Sequence, residues 1–293
     1  MARAMTFQGL ATVVMAVAVS VAGAAQTFKS RVESVRLDAL VLDRGQPVLG
    51  LTADDFEIRD NGALQRVTLL AAGALPLDVI LLLDMSGSLS VQRLEALRAA
   101  GGALLDALGP ADRAALVTFS REIHRAQPLT HDVGAVRRAL ERETPSGPTV
   151  LVDAMFAAIG MTEPGDRRSL LIVFSDGLDT ASWLQPDAVV RAAERSDVVI
   201  YAVSTSSAKH APGLLRQVTD STGGQLLEVD SASLSTAFTR VLNEFRQRYV
   251  LSYTLSSAPS DGWHRLDVRV KNRNLTVRAR PGYRVVRPRP TAR

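Results

Sequence analysis

The stretch LLLDMSGSLS, residues 81–90, ends an aliphatic run on a carboxylate, Asp84, and sets two hydroxyls, Ser86 and Ser88, around Gly87. Two other loops carry similar chemistry. SLLIVFSDGLD places Asp176 just after another aliphatic run, and SGPTVLVDA places Thr149 just before a helical pattern. All five side chains are hard oxygen donors, with no histidine or cysteine among them. Such a set suits a hard divalent cation. With only two anionic members it suits octahedral Mg²⁺ better than Ca²⁺, with Mn²⁺ or Ca²⁺ as substitutes.

The elements that must position these donors are legible as patterns. VILLL, AALVTF, SLLIVF and VVIYAV are continuous apolar runs, as parallel strands covered on both faces require. Amphipathic helical patterns lie between them; Leu234, Ala237, Phe238, Val241, Leu242 and Phe245 form the cleanest. The alternation predicts an α/β fold with a doubly wound, mostly parallel, Rossmann-like sheet. Ligands of such sheets sit beyond the carboxyl ends of the strands, where strand order reverses, and Asp84 and Asp176 fall at such ends.

Both flanks read as β-structure. RVESVRLDALVLD alternates, Phe56–Ile58 is a short strand, Asp60-Asn61-Gly62 signals a hairpin turn, and Val67–Leu70 is the expected return strand. After Arg248, alternation resumes through Tyr249, Leu251 and Tyr253, then Leu266, Val268 and Val270. Neither flank, at under about 50 residues, holds a core readily alone. The expectation is one β-sandwich-like domain built from both flanks, with the α/β domain inserted; independent flaps are the alternative. The expected organisation is a signal peptide at 1–25, an N-terminal β segment at 26–73, the α/β domain at 74–247, a C-terminal β segment at 248–287 and a basic tail at 288–293.

Composition narrows the setting. The 293 residues include no cysteine, so neither disulfides nor a lipid-bearing cysteine contribute. Arg3, the apolar stretch Leu10–Val21 and the small residues at 22–25 read as a secretory signal, with an uncleaved N-terminal anchor as the alternative. The protein is expected to be secreted or periplasmic. Ten Arg or Lys stand against one acid from Arg265 onward, while the rest of the chain carries about −5. Export argues against nucleic acid as the partner of this basic region. Alternation assigns much of the charge to a solvated strand face, and contact of the Arg-rich C-terminal strands with anionic envelope components is the functional alternative.

Asp84-Met85-Ser86-Gly87-Ser88, Thr149 and Asp176-Gly177 together resemble the metal-ion-dependent adhesion site (MIDAS) of von Willebrand factor type A (VWA) domains, over residues 75–247. Pro148 replaces the commoner glycine before the threonine. LTADDFEIRDNG, RYVLSY and VRARPGYR look like the boundaries of a secreted bacterial type A family common in acidobacteria. The resemblance implies Mg²⁺ bound directly by Ser86 and Ser88, by Thr149 in a ligand-occupied state, and through waters by Asp84 and Asp176. It implies a protein partner that supplies a carboxylate, and a binding or adhesion module that is not an enzyme. A metal-independent scaffold of the cell envelope is one alternative reading. A Mg²⁺-dependent hydrolase is another, but Ser86 stands where a second acid would be needed, His124, His131, His210 and His264 are scattered, and no G-x-S-x-G elbow is present. Singly, Asp84 could be a helix-terminal charge and the serines caps. Trp263, Tyr249 and Tyr253 are expected in a β core.

Overall fold

The computed structural model describes residues 34–72, 75–163, 165–205, 213–255, 260–271 and 274–286. The expected signal peptide or anchor and the basic tail lie outside them, as does His210. The alternating N-terminal segment forms β1 (Ser34–Asp43), followed by the short β2 (Gln46–Pro47). Thr52 and Asp55 then close a capping box around one 3-10 turn, Ala53–Asp55. β3 (Phe56–Asp60) and β4 (Ala63–Gln65) make the hairpin, with Asn61 and Gly62 both at positive φ (48° and 85°), as a two-residue primed turn demands. The return strand therefore starts at once, at Ala63, and not at Val67. The stretch expected to return instead forms β5 (Thr68–Ala72), which leaves for another sheet, where Leu69 lies opposite Leu251.

The α/β part follows as β6 (Leu77–Asp84), α1 (Val91–Asp106), β7 (Arg113–Phe119), β8 (Ile123–Thr130), α2 (Val133–Arg142), α3 (Leu151–Gly160), β9 (Arg168–Phe174), α4 (Pro186–Arg195), β10 (Val199–Ser204), α5 (Gly213–Thr222), β11 (Leu226–Glu228) and α6 (Leu234–Arg246). Its sheet runs β11-β10-β9-β6-β7-β8, parallel except for β8. The sequence IHRAQPLT of β8 lacks an apolar run because it is a half-exposed edge, with Pro128 where a missing N–H is tolerated. β6 is buried throughout and feeds two cores. Val79, Leu81 and Leu83 meet α1, α2 and α6, while Ile80 and Leu82 meet α3, α4 and α5. None of the helices among the described residues is long and apolar enough to cross a membrane.

The chain then adds β12 (Tyr249–Thr254), β13 (Gly262–Val270), β14 (Thr276–Arg278) and β15 (Gly282–Val285). The two flanks interleave into two sheets, β14-β1-β12-β5 and β15-β13-β3-β4. Leu37, Ala39 and Val41 of β1 pack with Phe56, Ile58, Leu251 and Leu266 between these sheets. Asp60 joins the sheets chemically: its carboxylate accepts from Tyr253 (2.7 Å) and Tyr283 (2.8 Å), and His264 Nδ1 lies 3.0 Å away. Burial, and then the bond to Asp60, push the Tyr253 phenol far above its ordinary pKa, so it stays a donor.

The other face of β1 meets the α/β part through buried arginines. Arg168, at the start of β9, pairs with Asp38, donates to the Phe245 carbonyl (2.8 Å) and lies 4.3 Å above the Phe245 ring. Arg248 is fully buried and donates to Tyr201 and to the Gly223 carbonyl. The C-terminal basic residues divide in a way alternation did not foresee. Arg265 and Arg269 of β13 are exposed, as a wet face requires. Arg278 and Arg284 instead reach the α/β part at Glu244 and Glu194, and Arg280 is buried against the Ala193 and Ser196 carbonyls. Trp263 is half-exposed beside Arg284, while Tyr249 and Tyr253 are core residues. At the foot of the sheet, Asp112 takes the Leu77 N–H at 2.9 Å and Arg246 Nη2 at 2.7 Å, so one carboxylate holds both connections to the flanks.

Candidate metal centre

Strand order reverses at β6, which has β7 on one side and β9 on the other. Asp84 is the last residue of β6 and is 5% exposed. Its Oδ1 accepts from the Ser86 N–H at 2.9 Å, which folds the following loop back over the carboxylate, and its Oδ2 accepts from Ser175 Oγ at 2.8 Å. Ser86 and Ser88 hydroxyl oxygens stand 3.1 Å apart. Ser90 ends the loop as the N-cap of α1, accepting from the Arg93 N–H. Asp176 lies two residues past β9, and its Oδ1 accepts from the Leu178 N–H at 3.0 Å.

The middle loop is tied directly to the first. Gly87 N–H donates to the Gly147 carbonyl (2.9 Å) and Ser146 N–H to the Met85 carbonyl (2.8 Å). Thr149 is 6% exposed, its N–H held by Thr180 Oγ1 at 2.9 Å. Asp153 and Asp179 serve the backbone: Asp153 accepts from the N–H groups of Trp183 and Leu184, and Asp179 from that of Val152.

Asp84, Ser86, Ser88 and Asp176 line one cavity of about 10 Å³, the room one water-sized sphere occupies. Thr149 is brought to the adjoining loop but is not on the cavity wall. Arg93, Phe174 and Thr205 also line it. Arg93 and Thr205, and the Ser175 hydroxyl that braces Asp84, had no sequence motif to announce them, although Ser175 sits immediately before Asp176. Burial pushes the Asp84 carboxyl up, the hydrogen bonds from Ser86 and Ser175 oppose this, and the Asp176 charge adds to the rise. A cation between the two carboxylates would relieve that cost. Among the described residues no three His, Cys, Asp or Glu side chains gather at a point. The donors here are two carboxylates with hydroxyls, an all-oxygen set of a size and type that fit a single hard ion.

One other constellation has a catalytic look. Asp60, His264 and Ser260 stand in the order of a triad, but His264 is buried in the sandwich and its Nε2 lies 2.9 Å from the Ser260 carbonyl, with the Ser260 hydroxyl farther off at 3.4 Å. The nearer partner of Nε2 is thus the Ser260 carbonyl and not its hydroxyl, so the ring is not set as a base on the serine. The cluster braces the sheets.

Residues 79–178 match the family model of the von Willebrand factor type A domain. An uncharacterised protein of Synechocystis is 32% identical over 110 residues, which are 35% of this chain and 26% of that protein, so the match spans about a quarter of the curated relative. Among solved structures, the vWF domain of a type V pilus tip protein from Porphyromonas gingivalis aligns with a TM-score of 0.50 at 14% identity, over 58% of this chain and 94% of that one. Proximal thread matrix protein 1 from the mussel byssus, whose structure has a zinc-occupied MIDAS motif, aligns with a TM-score of 0.55 at 17% identity, over 65% of this chain and 50% of that one. At these identities the likeness to the solved structures is one of fold.

Proposed function

We propose that the α/β part of the chain, of which residues 79–178 match the von Willebrand factor type A model, is a domain of that type, and that the protein is an exported, metal-dependent binding module that recognises a carboxylate on a partner protein and catalyses no reaction. The observation that carries this reading is the ion-sized cavity where the Ser86 and Ser88 hydroxyls, 3.1 Å apart, face the carboxylates of Asp84 and Asp176. Mg²⁺ bound there would supply a Lewis-acidic point that attracts an anionic oxygen. Ser86 and Ser88 would hold the ion directly, and Asp84 and Asp176 through water. Thr149 would join when the middle loop shifts. Neutral direct donors leave the ion short of negative charge, which favours an acidic guest at the open position. The zinc-occupied MIDAS of the mussel protein supports the capacity of such a site to hold a metal. We assign residues 74–247 to the binding domain, carried on a sandwich of 26–73 and 248–287.

The test is calorimetric titration of the full chain with Mg²⁺. The wild type should bind one ion, and Ser86→Ala, with unchanged circular dichroism, should bind none. Silence in the wild type overturns the proposal.

A further inference from the structure

The loop that carries Asp176 also presents an apolar surface. Trp183 is 92% exposed and Leu178 56%, with Leu184 at 37% and Phe156 of α3 at 44%. The segment bearing the indole is braced. Both Asp153 oxygens accept backbone N–H groups at 2.9 Å, from Trp183 and Leu184, and Asp179 holds Ser182 and the Val152 N–H. Phe156 lies one helical turn beyond Asp153, on the same face of α3. A tryptophan held in water on a fixed backbone gains nothing from burial within the chain, yet it offers a large contact area at little ordering cost on binding. A cation borders the same cavity: Arg93 lines its wall together with Asp84 and Asp176. Arg121 packs against Gly147 of the middle loop, and among the described residues neither arginine is held in a salt bridge.

We infer that the rim selects a polypeptide segment carrying a carboxylate beside bulky apolar side chains, with the carboxylate drawn to the cavity and Arg93 and an apolar side chain laid on Trp183 and Leu178. The carboxylate half rests on the metal reading above; the apolar half stands independently of it. With a bound ion offsetting Asp84 and Asp176, Arg93 and Arg121 favour an acidic segment over a basic one, and the exposed indole and leucines favour apolar flanks over polar ones.

Nonapeptides with a central Asp flanked on both sides by Leu are the probe, titrated into the full chain carrying Trp263→Phe so that Trp183 is the sole indole. Two control peptides replace the Leu residues with Ser, or the Asp with Asn. In Mg²⁺ the Asp–Leu peptide should shift Trp183 fluorescence and bind about tenfold more tightly than the Ser-flanked peptide. By calorimetry, Trp183→Ala should erase that difference while Mg²⁺ affinity stays that of the parent. Arg93→Gln should weaken the Asp peptide and leave the Asn peptide unchanged. Equal binding of the Leu- and Ser-flanked peptides, full affinity in Trp183→Ala, or no peptide binding overturns the inference. Failure of Mg²⁺ itself to bind would remove the metal reading alone, and the Leu-over-Ser preference measured in chelator would still decide this one.

Discussion

Replacing Asp38 by alanine should destabilise the whole molecule although the residue is far from the cavity. Asp38 lies on the face of β1 turned to the α/β part, and its side chain is 8% exposed against 1% for Arg168. Without the carboxylate, Arg168 keeps the Phe245 carbonyl and ring, but its charge is left buried without its counter-ion. One guanidinium nitrogen, Nη1, already lacks a hydrogen-bond partner. Removing one member of a buried pair costs about 3–5 kcal/mol, against a total stability on the order of 5–15 kcal/mol. Urea unfolding followed by circular dichroism is the assay. At about 1–3 kcal/mol per molar urea, the midpoint should fall by about 1 M or more. The double variant Asp38→Leu with Arg168→Met should recover most of the loss, because an apolar pair avoids desolvating either ion. A cost below about 1 kcal/mol, as for an exposed pair, or a double variant as unstable as the two single losses together, would refute the reasoning.

Three further outcomes are expected. For Asp78, burial raises the carboxyl pKa, but the hydrogen bonds and charges of Arg113 and Arg167 outweigh this and hold it below the ordinary 3.8. Its stabilisation is therefore present above that value and lost as pH falls through the lowered one, so Asp78→Asn should flatten the acid limb of stability below about pH 4, read as urea midpoints at successive pH values. Tyr253→Phe removes a buried hydrogen bond to the Asp60 carboxylate and should cost about 1.5–3 kcal/mol by denaturant titration; no change would mean the bond does not join the sheets. Excess Mg²⁺, at about a hundred times its dissociation constant, should add about 2.7 kcal/mol to wild-type stability in a thermal melt and nothing to Ser86→Ala.

The strands of the α/β part were legible because burial on both faces writes itself as unbroken aliphatic runs, such as LLIVF in β9. β8 was not, since a half-exposed antiparallel edge carries no such signature. The flanks showed alternation but not partnership: nothing in VTLL says that β5 will abandon its hairpin for Tyr249. Spacing marked Asp84, Ser86, Ser88 and Asp176, which share a cavity, yet could not say whether Thr149 lines it or sits behind the adjoining loop. Charge misled most. A strand arginine on the alternate register reads as solvated, and only tertiary contacts show that Arg278, Arg280 and Arg284 turn inward.

The grip of Asp112 on both Leu77 and Arg246 has a mechanical consequence. The connections between the α/β part and the flanking β-sheets leave side by side at the foot of the sheet, at the opposite end of β6 from Asp84. A guest of the proposed kind, tugging on the rim, would load β6 and its parallel neighbours lengthwise, as shear across whole ladders of hydrogen bonds. Tension would then divide between two anchored tethers and so would not peel either strand away alone.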